Sequence, residues 1–244
     1  MNEDLENIQY SPIRNYQYER WFRETQYNGK TLNDEERREF VKVVDENVSI
    51  YSEGLQMVKG ILESDKKKND EFHKVCSILM SVMQFVLITI IDSMVIGKYF
   101  ILANKDYDRR FMRGKMKVIL NEGFKKLYGF EEKTHKNSEW IRLVPILKYF
   151  PEDIQSQYQH LSSLLEKHSK SSSWWRDERN VETHLDAEEL YDSRCEDIVE
   201  SKVMMDSLRL YNTLSAANCF LFNMHACVHN TLVDMYRRGE LREE

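Results

Sequence analysis

Apolar residues recur at helical spacing through most of the chain. Phe40, Val43, Val44, Val48, Tyr51, Leu55, Val58 and Leu62 follow the three- and four-residue steps of one helix face. Ahead of them, Asn33-x-x-Glu36 reads as a capping box, which starts this helix near Asn33 or Asp34. The charged run from Ser64 to Asp70 ends it, and its lysines are read as a solvated turn.

A second helix is predicted from about Asp70 to Asn104. Val75 to Ile91 carries no charge, so a membrane span has to be weighed. Placed at the helical angle, however, Asp70, Lys74, Ser77, Ser81, Gln84, Asp92 and Lys98 share one arc of roughly 120°. A polar stripe on an apolar helix suits the central helix of a bundle, and Asp92 would be costly at membrane depth. No membrane partner is expected. A third helix runs to about Tyr128 on Met112, Met116, Ile119, Leu120, Phe124 and Leu127, with Gly129 as its stop. Its charged members, including Arg109, Arg110, Arg113, Lys115 and Lys117, are read as a solvated face.

Glu131 to Ser138 reads as a polar linker, followed by a helix or extended segment through Trp140, Ile141, Leu143, Ile146, Leu147 and Phe150. Pro151 opens the next helix, on Ile154, Tyr158, Leu161, Leu164 and Leu165. The tract Lys167-His168-Ser169-Lys170-Ser171-Ser172-Ser173 reads as the turn that ends it. Asp186-x-x-Glu189 resembles another capping box, and the last helix spans Tyr191 to about Arg238. The predicted architecture is an all-α antiparallel bundle of about five to seven helices over 32–244. Residues 1–31, rich in tyrosine and tryptophan, form an arm that packs on the body or reaches a partner subunit.

Composition agrees. Only 3 prolines and 8 glycines in 244 residues disfavour a turn-rich β architecture, and 41 % apolar content supplies a core. The net charge of −6 weighs against a protein that coats nucleic acid, but leaves room for a local basic cleft. Cys76, Cys195, Cys219 and Cys227 form no C-x-x-C pair, so a reducing compartment without a disulfide framework is expected. Met1-Asn2-Glu3-Asp4 lacks the basic start of a signal peptide, and a cytoplasmic location is the expectation.

The densest chemistry lies between the last two helices, in Trp174-Trp175-Arg176-Asp177-Glu178-Arg179-Asn180-Val181-Glu182-Thr183-His184-Leu185-Asp186. Arg179 offers a planar fork of donors for a phosphate, and His184 exchanges protons near neutral pH. Asn180 adds an amide between them. Together they suit binding of a phosphodiester and transfer of a proton from a neighbouring hydroxyl. Trp174 and Trp175 could stack on bases or simply pack the loop down. Arg176 adds a cation. Asp177, Glu178 and Glu182 either tune the histidine or are solvated.

Arg179-Asn180-x-x-x-His184 resembles the arginine–polar–histidine signature of the HEPN superfamily, all-helical proteins found in toxin–antitoxin, abortive-infection and CRISPR systems. The setting, long helices before and one long helix after, resembles the family too. The resemblance implies metal-independent endoribonuclease activity with no cofactor. His184 would act as general base or acid, Arg179 would stabilise the phosphate's developing charge, and Asn180 would orient either. It also implies a homodimer with two motifs facing each other, and an antitoxin or nucleotidyltransferase as a possible partner. Five positions turn two side chains about 140° apart on a regular helix, so Arg179 and His184 need an irregular segment or a second copy. Two other readings stay open. One is a noncatalytic interaction module. The other is a helical metal site at His225-x-x-x-His229, whose two imidazoles share a helix face but lack a recurring Glu-x-x-His partner.

Overall fold

The computed structural model describes residues 33–65, 70–172 and 200–237, and every element among them is helical. We label these α1 (Asp34–Asp65), α2 (Glu71–Leu102), α3 (Asp106–Leu127), the short α4 (Glu132–His135), a 3-10 helix (Trp140–Tyr149), α5 (Glu152–Ser172) and α6 (Glu200–Arg237). The predicted arm, the 66–69 turn, the Asp186-x-x-Glu189 cap and residues 191–199 of the last predicted helix lie outside the described residues.

The ends of the first helices follow from their caps. Asn33 Oδ1 accepts from the amides of Glu35 and Glu36, each at 3.0 Å, and the Asn33 amide donates back to Glu36 Oε2 at 2.9 Å. That reciprocal pair is the capping box read from the sequence. Asp70 caps α2 in the same way, accepting from the His73 amide at 3.0 Å. α1 and α2 then run antiparallel. Arg37 Nη1 donates to Asn104 Oδ1 at 2.7 Å and Lys98 Nζ to Asp45 Oδ1 at 2.6 Å.

α2 is the centre of the bundle, packed against α1, α3, α6 and the 3-10 helix. It is the one described helix long and apolar enough to cross a membrane. Its polar stripe is the face left partly open: Asp70, Lys74 and Asp92 are exposed, while Leu79, Val86, Ile90 and Met94 across the helix are fully buried. The amphipathic pattern is therefore used against other helices of the chain.

Three local features sharpen the expectation. The linker after α3 contains α4, whose first turn closes on the Glu131 and Thr134 side chains. The following segment is a 3-10 helix, and it holds Pro145, which has no amide to donate. The Lys167–Ser173 tract does not end the helix early, since α5 continues to Ser172. Ser and Lys there read as loop composition, but His168 and Ser169 are buried and hold that turn in the bundle.

Gly129 stops α3, as expected. Its φ is +88°, and a Cβ there would sit 2.3 Å from the His135 amide nitrogen. Both the left-handed backbone and the approach of α4 need glycine. Gly129→Ala is expected to cost about 1–3 kcal/mol, seen as a lower urea midpoint. An unchanged midpoint would mean that the turn relaxes freely.

Candidate functional site

Trp174, Trp175, Arg176, Arg179, Asn180 and His184 all lie outside the described residues. What the structure describes is the frame from which their segment departs and to which it returns. Among the described residues α5 reaches Ser172 and α6 starts from Glu200. The two helices pack antiparallel: Thr213 of α6 meets His168 of α5, and Phe220 lies 6.2 Å from Tyr158, ring to ring. The end of α5 and the start of α6 are therefore at the same end of the bundle.

That end has a polar interior. His168 is 2 % exposed, and its Nδ1 lies 2.8 Å from Thr213 Oγ1. Thr213 spends its own proton on the Arg209 carbonyl at 2.7 Å. Its oxygen must then accept from His168, which fixes the proton on Nδ1. Thr213→Val keeps the shape and removes this acceptor from a buried donor. The expected loss is about 1–3 kcal/mol of unfolding free energy, with Thr213→Ser near wild type. Equal stability of the two variants would show that the bond contributes nothing. Nearby on α6, Asp206 is buried and accepts from Arg209 Nη1 at 2.7 Å.

α3 supplies two buried cations to the same end. Phe124 packs edge-on to His168. α2 runs against α3, to which residues 103–105 join it, and against α6, because Val75 shares a cavity with Val228 while Thr89 and Leu210 both flank Gly123; α3 therefore runs with α6 and against α5. Asn121, Lys117 and Arg113 follow Phe124 back along α3, and Lys117 stands about 10 Å from it, towards the level of Ser172. They are 0 %, 1 % and 3 % exposed. This corrects the reading of Arg113 and Lys117 as a solvated face. Four- and seven-residue steps link them to Asn121, Leu120 and Phe124, so position on the helix outweighs side-chain type. Buried charge is tolerated only when it is engaged, and both residues make polar, ring or electrostatic interactions.

A smaller polar pocket of about 260 Å³ opens beside the last turns of α5. His135 Nδ1 lies 2.7 Å from the Tyr128 carbonyl. A carbonyl only accepts, so the proton in this bond belongs to Nδ1. Glu166 and Lys170 face the pocket as a hydrogen-bonded pair. The lysine holds the Glu166 carboxyl below its usual range, and burial pushes the Tyr128 phenol up. With Glu131 and Glu132 also lining it, the pocket has more acid than base and does not suit a phosphodiester. Nothing in the pattern marked His135 or His168. Their roles depend on partners distant in sequence.

Comparisons of the chain with protein-family models, with curated proteins and with solved structures gave no match. The chemistry of the chain itself carries the functional reading.

The alternative metal pair can be placed. His229 is exposed, while His225 is half-buried and edged by Phe222. Burial first, then the neighbouring His229, holds the His225 imidazole below its ordinary range. Among the described residues no third histidine, cysteine or carboxylate joins them in a metal-binding group.

Proposed function

We propose that this chain is a HEPN-like endoribonuclease that cleaves RNA without a metal ion, in a defence or toxin–antitoxin setting. The reading rests on the sequence Arg179-Asn180-x-x-x-His184 and its position in the chain, between two helices of an all-α bundle that pack antiparallel. In this reading the 2′-hydroxyl attacks the adjacent phosphorus as His184 takes its proton. The bond to the 5′-oxygen breaks, a proton is returned to that oxygen, and the products are a 2′,3′-cyclic phosphate and a 5′-hydroxyl. Arg179 balances the charge that builds on the non-bridging oxygens. Asn180 orients the imidazole or the phosphate. Arg176 holds a neighbouring phosphate, and Trp174 and Trp175 stack on flanking bases.

The function is that of a homodimer with the two motifs near the two-fold axis. The acidic overall charge favours a local contact with RNA over coating of the strand. The test is cleavage of RNA in excess EDTA. Products ending in cyclic phosphate, and resistance of a substrate with 2′-deoxyribose at the cut site, are the expected results. Loss of cleavage in EDTA with rescue by a divalent ion would overturn the metal-free mechanism. Absence of cleavage, with partner binding intact in His184→Ala, would favour the noncatalytic interaction module.

A further inference from the structure

Far along α6 from the segment just discussed, three helix ends meet without filling the space between them. The start of α2, the junction of the 3-10 helix with α5, and the later turns of α6 line a half-open cavity of about 670 Å³. The gap has a local cause. Pro151 breaks the chain between two helices, so neither continues across the opening.

The walls are apolar. Val75, Phe150 and Val228 turn buried side chains to the cavity, and Phe72 is half-buried beside them. Polar groups gather at the rim, where the Tyr149 hydroxyl donates to Glu71 Oε1. Lys148 Nζ stands 4.6 Å from the centre of the Tyr149 ring. The Lys148 ammonium stands outside the lining but close enough to Glu71 to feel its charge, and so offsets part of the carboxylate's field at the mouth. Such a site offers a hydrogen-bond acceptor without a strong demand for either charge.

From this we infer that the cavity is a binding site for a neutral, largely apolar small molecule carrying one hydrogen-bond donor. The body of the ligand takes the apolar walls, and its donor reaches the Glu71 carboxylate at the mouth. The volume lies within the roughly 300–1,000 Å³ range of small-molecule sites. Apolar walls hold water poorly, so its displacement favours binding. Cys227 lines the same space as a half-buried thiol and reports on its occupancy. The inference is independent of the ribonuclease reading.

The probe is N-phenyl-1-naphthylamine, a neutral secondary amine that joins a naphthyl and a phenyl group through one N–H and fluoresces in apolar surroundings. The full chain is expected to bind it saturably with one-to-one stoichiometry. Thr231→Trp, which fills the cavity from an exposed lining position, and Val228→Trp, which fills it from the wall, are expected to weaken binding at least tenfold. Tyr107→Ala, at an exposed aromatic outside the lining, serves as the control and leaves binding unchanged. Circular dichroism establishes that each variant is folded, and if Val228→Trp is not, Thr231→Trp decides. Bound probe should also slow alkylation of the Cys227 peptide by N-ethylmaleimide at least fivefold, read by mass spectrometry. No saturable binding, or equal binding by wild type and Thr231→Trp, would overturn the assignment.

Discussion

His184→Ala is expected to lower RNA cleavage by roughly 10²–10⁴-fold, the span that a positioned general acid or base contributes. Arg179→Ala removes charge stabilisation in the transition state and is expected to cost about 10²–10³-fold. Both losses should fall on kcat more than on KM, because the groups act where charge and protons move. Neither variant should shift the thermal midpoint, since the core of the described bundle draws on α1, α2, α3, α5, α6 and the 3-10 helix. Wild-type rates should also vary with pH, and His184→Ala should lose the limb that the imidazole sets. Cleavage unchanged in His184→Ala would remove the proposed mechanism.

The same two variants separate a site within one chain from a site shared by two. An angular offset of about 140° between positions 179 and 184 on a regular helix allows a partner copy to complete the pair. If Arg179 of one subunit serves the His184 of the other, mixing the two inactive proteins regenerates one intact site per mixed dimer. Activity should then return on mixing. If both groups serve their own chain, the mixture stays inactive, and the dimer is structural.

Local signals in the sequence carried much of the architecture. The Asn33 box and the Gly129 stop depend on neighbours three to six residues away, so spacing alone exposes them. The polar stripe of α2 was legible because one helix can be read by its own period. Arg113 and Lys117 were not legible, because their type speaks for solvent while their angle on α3 speaks for the core. His168 was hidden in a Lys–Ser tract and draws its role from Thr213, on another helix. The candidate site divides the same way. Arg179 and His184 stand out by type and spacing, whereas the buried cations, His168 and the apolar cavity arise only from helices meeting in space.

Trp140→Ala is expected to be the most damaging core substitution, costing about 3–5 kcal/mol. Trp140 is fully buried, stacks on Tyr158 with ring centres 5.2 Å apart, and lies 5.6 Å from Phe220. It thereby joins the 3-10 helix to both α5 and α6. Its Nε1 donates to Ser162 Oγ at 2.8 Å, and Ser162 passes its own proton to the Tyr158 carbonyl at 2.7 Å. Burial of the same cluster pushes the Tyr158 phenol up to about 12. Truncation to alanine therefore opens a cavity and strands a hydrogen-bond acceptor together. Trp140→Phe keeps most of the ring contact and should cost only about 1–2 kcal/mol more than the lost hydrogen bond. Phe220→Ala shares these contacts, so the double variant should lose less than the sum of the two single losses. Additive losses in urea unfolding would show that the rings do not act as one cluster. Because α5 and α6 carry the two ends of the motif-bearing stretch, Trp140→Ala should lower cleavage only as far as it lowers the folded fraction. A loss of activity in fully folded Trp140→Ala would instead mean that the angle between these helices sets the site.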